Sequence, residues 1–330
     1  MGPVDLRDLV LSLGALQKRP AELLVGFENN SDAAVFLLRD GLAIVQSIDF
    51  IGPVSNDPFV FGSAAAANAL SDLYALGAKP LTALNVCIFP SAVSTEDLAD
   101  ILRGGVAKVE EAGATLVGGH TVRGKELQFG LSVTGLVDPG SVVLNSGAQT
   151  GDLLVLTKPI GAGAMISALR AGLVKESDLS LLYESMMRLN HRASELMVEM
   201  GAHSCTDVSG FGLAGHALEM ARASGTTFRL KFREIPVFPA ALDLIGRGTK
   251  TSITSENERA AEGSIVFDPA LREDERKIVY DPQTSGGLLI SLKPGQAFGL
   301  VDRLRGEGLY GWIIGEVLPR GGALIEIAGE

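Results

Sequence analysis

The run from Phe59 to Leu76 is rich in alanine, closes on Gly77 and carries Asn68 and Asp72 one turn apart. This predicts a helix with Gly77 as its C′ residue. The i, i+4 spacing aims Asn68 and Asp72 the same way. A second acid, Asp49, ends an apolar strand at Leu42–Asp49 (LAIVQSID). Both carboxylates have almost wholly apolar neighbours. A lone buried carboxylate is costly, so it needs a cation or several hydrogen-bond donors. Any fold for this chain must answer that need.

The chain has 330 residues, which points to two domains. Its hydrophobic fraction of 46% and charged fraction of 20% are those of a globular protein. A net charge of −11 argues against a broad basic surface for nucleic acid and leaves carboxylates free for metal ions. Two cysteines, Cys87 and Cys205, exclude a disulfide scaffold and a thiolate zinc site. No uncharged segment has the ~18 apolar residues of a membrane span, and the N-terminus lacks a signal-peptide core, so the cytoplasm is the expected compartment.

Strands and helices alternate, which places the chain among α/β (α+β) proteins. Strands are predicted at Leu42–Asp49, Leu81–Phe89, Ala114–Val117 and Phe129–Val137, with a capped helix from Ser94 to Gly113. The glycine- and serine-bearing stretch Pro139–Asp152 reads as a boundary between domains at 1–140 and 151–330. Beyond it, Leu153–Thr157 is a strand, Gly161-Ala162-Gly163 leads into a helix, and Leu181–Met200 reads as one long helix. Pro236–Ala261 reads as loop, and Ile278–Leu292 and Trp312–Ile327 as the last strands.

Four aspartates carry the chemistry: Asp32 in the turn Asn29-Asn30-Ser31-Asp32, Asp49, Asp72, and Asp207 in Thr206-Asp207-Val208-Ser209-Gly210-Phe211-Gly212. Taken singly, each also fits a surface turn, a strand-end cap or an exposed helix acid. Facing one pocket, they would suit hard cations such as Mg²⁺, which take oxygen ligands and usually arrive with phosphates. Gly118-Gly119-His120-Thr121 follows a strand and could bring backbone N–H groups and an imidazole to a phosphate, or be an ordinary turn. Gly161-Ala162-Gly163 is a weaker signal of the same kind. Asp281-Pro282-Gln283-Thr284-Ser285-Gly286-Gly287 again packs small and hydroxyl residues around an acid.

The stretches Asn68–Asn85, Gly118–Thr121, Thr206–Leu213 and Asp281–Gly287, in that order, resemble the selenophosphate synthetase (selenide, water dikinase) family over nearly the whole chain. The resemblance implies an aminoimidazole ribonucleotide synthetase-like fold of two domains. The N-terminal domains would pair into a dimeric β-barrel, and the C-terminal domain would be an α/β sandwich. It implies that ATP, selenide and water give selenophosphate, AMP and orthophosphate in a homodimer. By the same resemblance Asp32, Asp72 and Asp207 fall on magnesium positions, and Asp49 on a nucleotide-site acid that also touches metal. Asn29, Asn30 and Ser31 fall on a phosphate-proximal turn, and Gly118, Gly119 and His120 on a nucleotide-contacting segment supplied partly by the partner subunit. Asp72 belongs to the same nucleotide site. A selenium-delivery protein is a possible further partner; nucleic acid and membrane are not expected. Two alternatives remain open: a divergent ATP-dependent kinase or synthetase of the same superfamily, and a silent nucleotide-binding dimer.

The family's catalytic cysteine or selenocysteine, and the lysine three residues after it, have no counterpart here. The resemblance begins at Gly2-Pro3-Val4-Asp5-Leu6. The expectation is that a glycine-rich segment carrying both precedes Met1, and that without it the 330-residue chain binds ATP and Mg²⁺ but makes little or no selenophosphate. Sequencing the DNA before the Met1 codon tests this. An in-frame Cys or UGA codon is expected a short way upstream, and its absence refutes the expectation.

Overall fold

The computed structural model describes residues 18–26, 31–249 and 251–330. Among these, the first half forms a six-stranded sheet: β1 (Leu23–Val25), β2 (Ala34–Arg39), β3 (Leu42–Ile51), β4 (Lys79–Phe89), β5 (Thr115–Arg123) and β6 (Gln128–Val137), in the order β1-β2-β3-β6-β4-β5. Helix α1 (Pro58–Ala75) joins β3 to β4, and α2 (Thr95–Glu111) joins β4 to β5. That crossover makes β4 and β5 parallel, whereas β3 and β6 pair antiparallel with Asp49 opposite Leu131.

Helix α1 explains its own composition. Asp57 caps it, accepting from Phe59 N (2.8 Å) and Val60 N (3.2 Å), and Pro58 takes the first turn. Every residue from Phe61 to Ala75 is buried. A helix covered on all sides has no solvent face, so alanine fills most of its circumference. One side packs on the inner face of the first sheet, where Val35, Ala43, Val45 and Val133 are fully buried. Another meets α2 at backbone distance. A Cβ on Gly62 would stand 2.0 Å from the Ile101 carbonyl oxygen, and one on Gly104 would stand 2.3 Å from that of Phe59. The buried side of α2 is therefore Ile101, Gly104, Gly105 and Val109, with Leu98, Leu102 and Val106 of its apolar stripe only partly covered.

The second half is a seven-stranded sheet of β7 (Leu153–Leu156), β8 (Ser204–Asp207), β9 (Thr227–Lys231), β10 (Ile265–Phe267), β11 (Leu288–Leu292), β12 (Trp312–Leu318) and β13 (Ile325–Ala328), in the order β10-β13-β9-β12-β7-β11-β8. Around it lie α3 (Ala162–Arg170), α4 (Ser180–Met187), α5 (His191–Glu199), α6 (Gly212–Ser224), α7 (Ala241–Gly246), α8 (Ser252–Ala260), α9 (Glu273–Lys277) and α10 (Pro294–Gly306). Among the described residues no helix is long and apolar enough to cross a membrane.

Three sequence expectations change. The single helix expected over Leu181–Met200 is two, because Arg188 turns extended (φ −74°, ψ 125°). The break lets Asn190 donate to Ser71 Oγ and to the Gly286 carbonyl, both at 2.9 Å. The loop expected over Pro236–Ala261 contains α7 and α8, whose few buried residues left little apolar periodicity to read. Of Ile278–Leu292, only β11 is strand. Residues 281–287 instead close the N-terminus of α3: Gln283 Oε1 accepts from Gly161 N (3.0 Å) and Ala162 N (3.1 Å), and Asp281 Oδ2 accepts from Ala164 N (3.1 Å).

The halves are clamped beside α1. Glu176 accepts from Ser55 Oγ (2.5 Å), Asn56 N (2.9 Å), Asn56 Nδ2 (2.9 Å) and Tyr183 OH (2.7 Å). Ser194 Oγ donates to the Tyr74 carbonyl at 2.6 Å. The contact between α1 and α2 generates a prediction. Gly62→Ala should destabilise the fold by ~2 kcal/mol or more, because the added methyl meets backbone that cannot rotate away. Gly295→Ala, whose Cβ would meet nothing within 4 Å, should stay within ~0.5 kcal/mol of the parent. Urea unfolding of both variants checks this, and equal midpoints would contradict it.

Candidate active site

Three acids come from the first half and one from the second. Side chains alternate along β3, so Ser47 and Asp49 share the inner face with Ala43 and Val45, toward α1. On α1, Asn68 and Asp72 point back at that face. Asn68 Nδ2 donates to Asp49 Oδ2 (2.7 Å), and Ser47 Oγ donates to Asp72 Oδ2 in a short hydrogen bond. Asp32 stands just before β2, where Ser47 Oγ also reaches its carbonyl (3.5 Å). Asp207 ends β8 at the edge of the second sheet, and its neighbour Thr206 donates from Oγ1 to Asp32 Oδ1 (2.9 Å) across the halves.

The four carboxylates interact electrostatically. Burial pushes Asp32 well above the usual carboxylate range, and the charge of Asp207 adds to it. Burial does the same to Asp72, with Asp207 and then Asp49 adding. Asp49 is raised by burial and partly relieved by the Asn68 hydrogen bond. Asp207 rises to about 6 through burial and Asp49, against the Ser71 hydrogen bond and the charge of Lys158. Asp32 is half-buried as a residue, yet its Oδ2 is enclosed with no hydrogen-bond partner among the described residues; the same holds for Ser31 Oγ.

This donor set fits a hard divalent cation. It is all oxygen, it is crowded with negative charge, and one enclosed carboxylate oxygen lacks a partner. Among the described residues, however, no three His, Cys, Asp or Glu side chains already stand close enough to hold one ion between them. That suits Mg²⁺, which is usually held by one or two carboxylates with waters and phosphates completing the shell. A cleft of about 660 Å³ opens beside the cluster, lined by Asp49, Asn68, Gly163, Ser209, Phe211 and Thr284 among others.

Several expected residues lie elsewhere. Gly118, Gly119 and His120 are inside β5, not in a turn after it, and pair with Leu84, Asn85 and Val86. Asp49, Leu131, Asn85 and Gly119 form one row across the sheet. Gly119 is therefore three strand spacings, about 14 Å, from Asp49. Within one chain it does not join the carboxylates. Asn29 and Asn30 lie outside the described residues. The N–H groups around Gly161-Ala162-Gly163 are taken by Gln283, Asp281 and the Pro282 carbonyl, so that segment offers no open phosphate loop. Asp281, which burial pushes up to about 7, serves this cap rather than the cluster.

Sequence reasoning missed the supports. Ser285 is held at φ +50°, uncommon for a residue with a side chain. Its N–H donates to Asn68 Oδ1 (2.8 Å), and its carbonyl accepts from Lys158 Nζ (2.8 Å). Lys158 follows the apolar strand β7 much as Asp49 ends an apolar run, and that was its available signal.

Family models for the AIR synthase related protein match twice, the N-terminal domain over residues 30–137 and the C-terminal domain over residues 149–326. The selenide, water dikinase of Geobacter metallireducens is 44% identical over 97% of this chain and 93% of its own. The chain belongs to the selenide, water dikinase family. A second member, from Caldanaerobacter subterraneus, is 46% identical over 89% of this chain and 86% of its own. The dikinase fold is shared more widely. Thiamine-monophosphate kinase from Stenotrophomonas maltophilia superposes with a TM-score of 0.67 at 21% identity, covering 98% of this chain and 95% of that one.

A pH prediction follows for this dikinase family member without divalent ions. The folded-state pKa of Asp72 lies above its unfolded value, near ~3.9. The stability it carries is therefore complete below that value and is lost as pH rises through the folded one. Asp72→Asn keeps the shape and removes the charge. The variant should melt above the parent at pH 8, with the gap narrowing toward pH 5. Calorimetric scans at both pH values in EDTA check this, and a variant that melts lower at pH 8 would contradict it.

Proposed function

We propose that the chain makes selenophosphate from ATP, selenide and water, releasing AMP and orthophosphate, and that Asp32, Asp49, Asp72 and Asp207 hold Mg²⁺ against the phosphates of ATP. The observation that carries this reading is that four carboxylates from both halves act on one another electrostatically beside an open cleft that Asp49 lines. Membership of the selenide, water dikinase family supplies the substrates.

A polyanionic triphosphate would be repelled by these four acids alone. Bound there, Mg²⁺ would neutralise that repulsion and polarise the phosphoryl oxygens, which is how phosphoryl transfer is generally promoted. The chain's own residues keep the acids in place: Asn68 on Asp49, Ser47 on Asp72, and Thr206 on Asp32. In this reading residues 1–140 form the unit that binds nucleotide and metal and dimerises, and residues 151–330 form the second domain. Asn29, Asn30 and Ser31 would approach the phosphates, and Gly118, Gly119 and His120 would reach nucleotide from a partner subunit.

The dimer rests on the outer face of the first sheet. Ile48 (57% exposed) and Phe50 lie on the outer side of β3, and Leu84, Val117 and Val122 are also exposed large apolar residues of this sheet. Strand β5, at the sheet's edge, is exposed along nearly its whole length. Bare apolar sheet and an open edge are normally covered in a soluble protein.

Three experiments test these points. Calorimetry should show ATP binding that requires Mg²⁺ and that weakens about tenfold or more in Asp72→Asn, although the same change stabilises the metal-free fold at pH 8. Undiminished affinity would sink the metal assignment. For turnover, ³¹P NMR should show AMP, orthophosphate and selenophosphate only with selenide present. ADP as the sole nucleotide product would instead mark a simple kinase. Light scattering at tens of micromolar should give a dimer that Ile48→Lys dissociates, and a monomeric parent would refute the interface.

A further inference from the structure

A second cavity, of about 280 Å³, lies in the C-terminal half and shares no lining residue with the cleft beside the carboxylates. It is bounded by the end of β7, α4, the start of β12 and the Val237–Pro239 segment. Its size is near the lower end for small-molecule sites, which run from about 300 to 1,000 Å³. The walls are largely apolar and aromatic. Phe238 and Trp312 line it, and Tyr310 stacks on Trp312 with ring centroids 5.5 Å apart and planes 20° off parallel. The Arg188 guanidinium sits over the Tyr310 ring, 5.6 Å from its centroid.

The polar groups at this cavity are unbalanced. Lys158 also lines it and is 5% exposed. Its ammonium donates to the carbonyls of Arg188 (2.7 Å) and Ser285 (2.8 Å), which leaves its third N–H without an acceptor among the described residues. A buried ammonium costs several kcal/mol unless its donors are matched and its charge is met. Two cations, Lys158 and Arg188, share the lining with one acid, Glu184, which is exposed. Burial, and then the charge of Arg188, lower Lys158 to about 7, whereas the charge of Asp207 opposes this. An anion entering here would supply both the missing acceptor and the missing charge, and a flat ring behind it would meet the aromatic walls.

We propose that this cavity is a binding site for a small planar aromatic carboxylate, with its ring against Trp312 and Phe238 and its carboxylate on the Lys158 ammonium. This goes beyond selenophosphate synthesis and does not depend on it.

Trp312 is the single tryptophan of the chain, so it reports on this cavity alone. The probe is 4-nitrobenzoate, a planar carboxylate that quenches indole emission. The control is 4-nitrobenzyl alcohol, which has the same ring without the charge. Saturable quenching is expected for the carboxylate, with affinity about tenfold or more above that of the alcohol. Lys158→Met should remove that preference. If Lys158→Met fails to fold, Val237→Phe decides the question: it fills the cavity from the wall and leaves Lys158 intact, and it should abolish saturation without lowering the melting temperature of the ligand-free protein. Quenching that rises linearly without saturating, equal affinity for acid and alcohol, or saturation unchanged in Val237→Phe would each overturn the proposal.

Discussion

The side chain of Asn68 holds the centre of this molecule together. Its amide nitrogen donates to Asp49 on β3, and its amide oxygen accepts from the Ser285 N–H in the second half. Both bonds are needed at once, because an amide used on one side only would leave a buried group unpaired. The geometry works only if α1 lies flat between the two sheets, and that demands a helix without bulk on any side. The alanines, the backbone contact at Gly62, and the break at Arg188 that brings Asn190 to Ser71 all serve this one placement.

The same placement leaves negative charge gathered with few cations to meet it. Neutral donors from Ser47, Asn68, Ser71 and Thr206 relieve the acids only in part. Lys158 reaches Asp207 through space rather than by a hydrogen bond. A protein selected only for stability would bury apolar groups in such a place. Keeping four acids there costs stability in the metal-free chain, a cost that the proposed Mg²⁺ would offset.

Much of this was legible in the sequence, and the reason is physical. Asp49 and Asp72 stood out because charge among apolar neighbours demands a partner, and i, i+4 spacing tied Asn68 to Asp72 before any fold was known. Local rules also found the strands Phe129–Val137 and Leu81–Phe89 and the capped helix from Ser94. What stayed hidden depended on contacts distant in sequence. The interruption of Leu181–Met200 answers to Ser71 and Gly286, far away along the chain. The segment 281–287 was expected within a strand over Ile278–Leu292, because its role in capping α3 depends on Gly161, Ala162 and Ala164, far away along the chain. Gly118-Gly119 looked like a turn for a similar reason, although its Cβ-free backbone serves close packing against Asn85 in a strand.

The row Asp49–Leu131–Asn85–Gly119 carries one more step. Side chains at one level of a sheet are held about 4.8 Å apart strand by strand, and no rotamer change closes three such spacings. Gly119 is therefore held apart from Asp49 within its own chain, with two strands between them. If the proposed dimer covers the bare outer face and the open edge at β5, that edge is carried to a second copy, where a different distance applies. The exposed edge and the separation of Gly119 from Asp49 then have one explanation: the segment is placed for another subunit's site. A monomer would leave the apolar face and the edge at β5 bare.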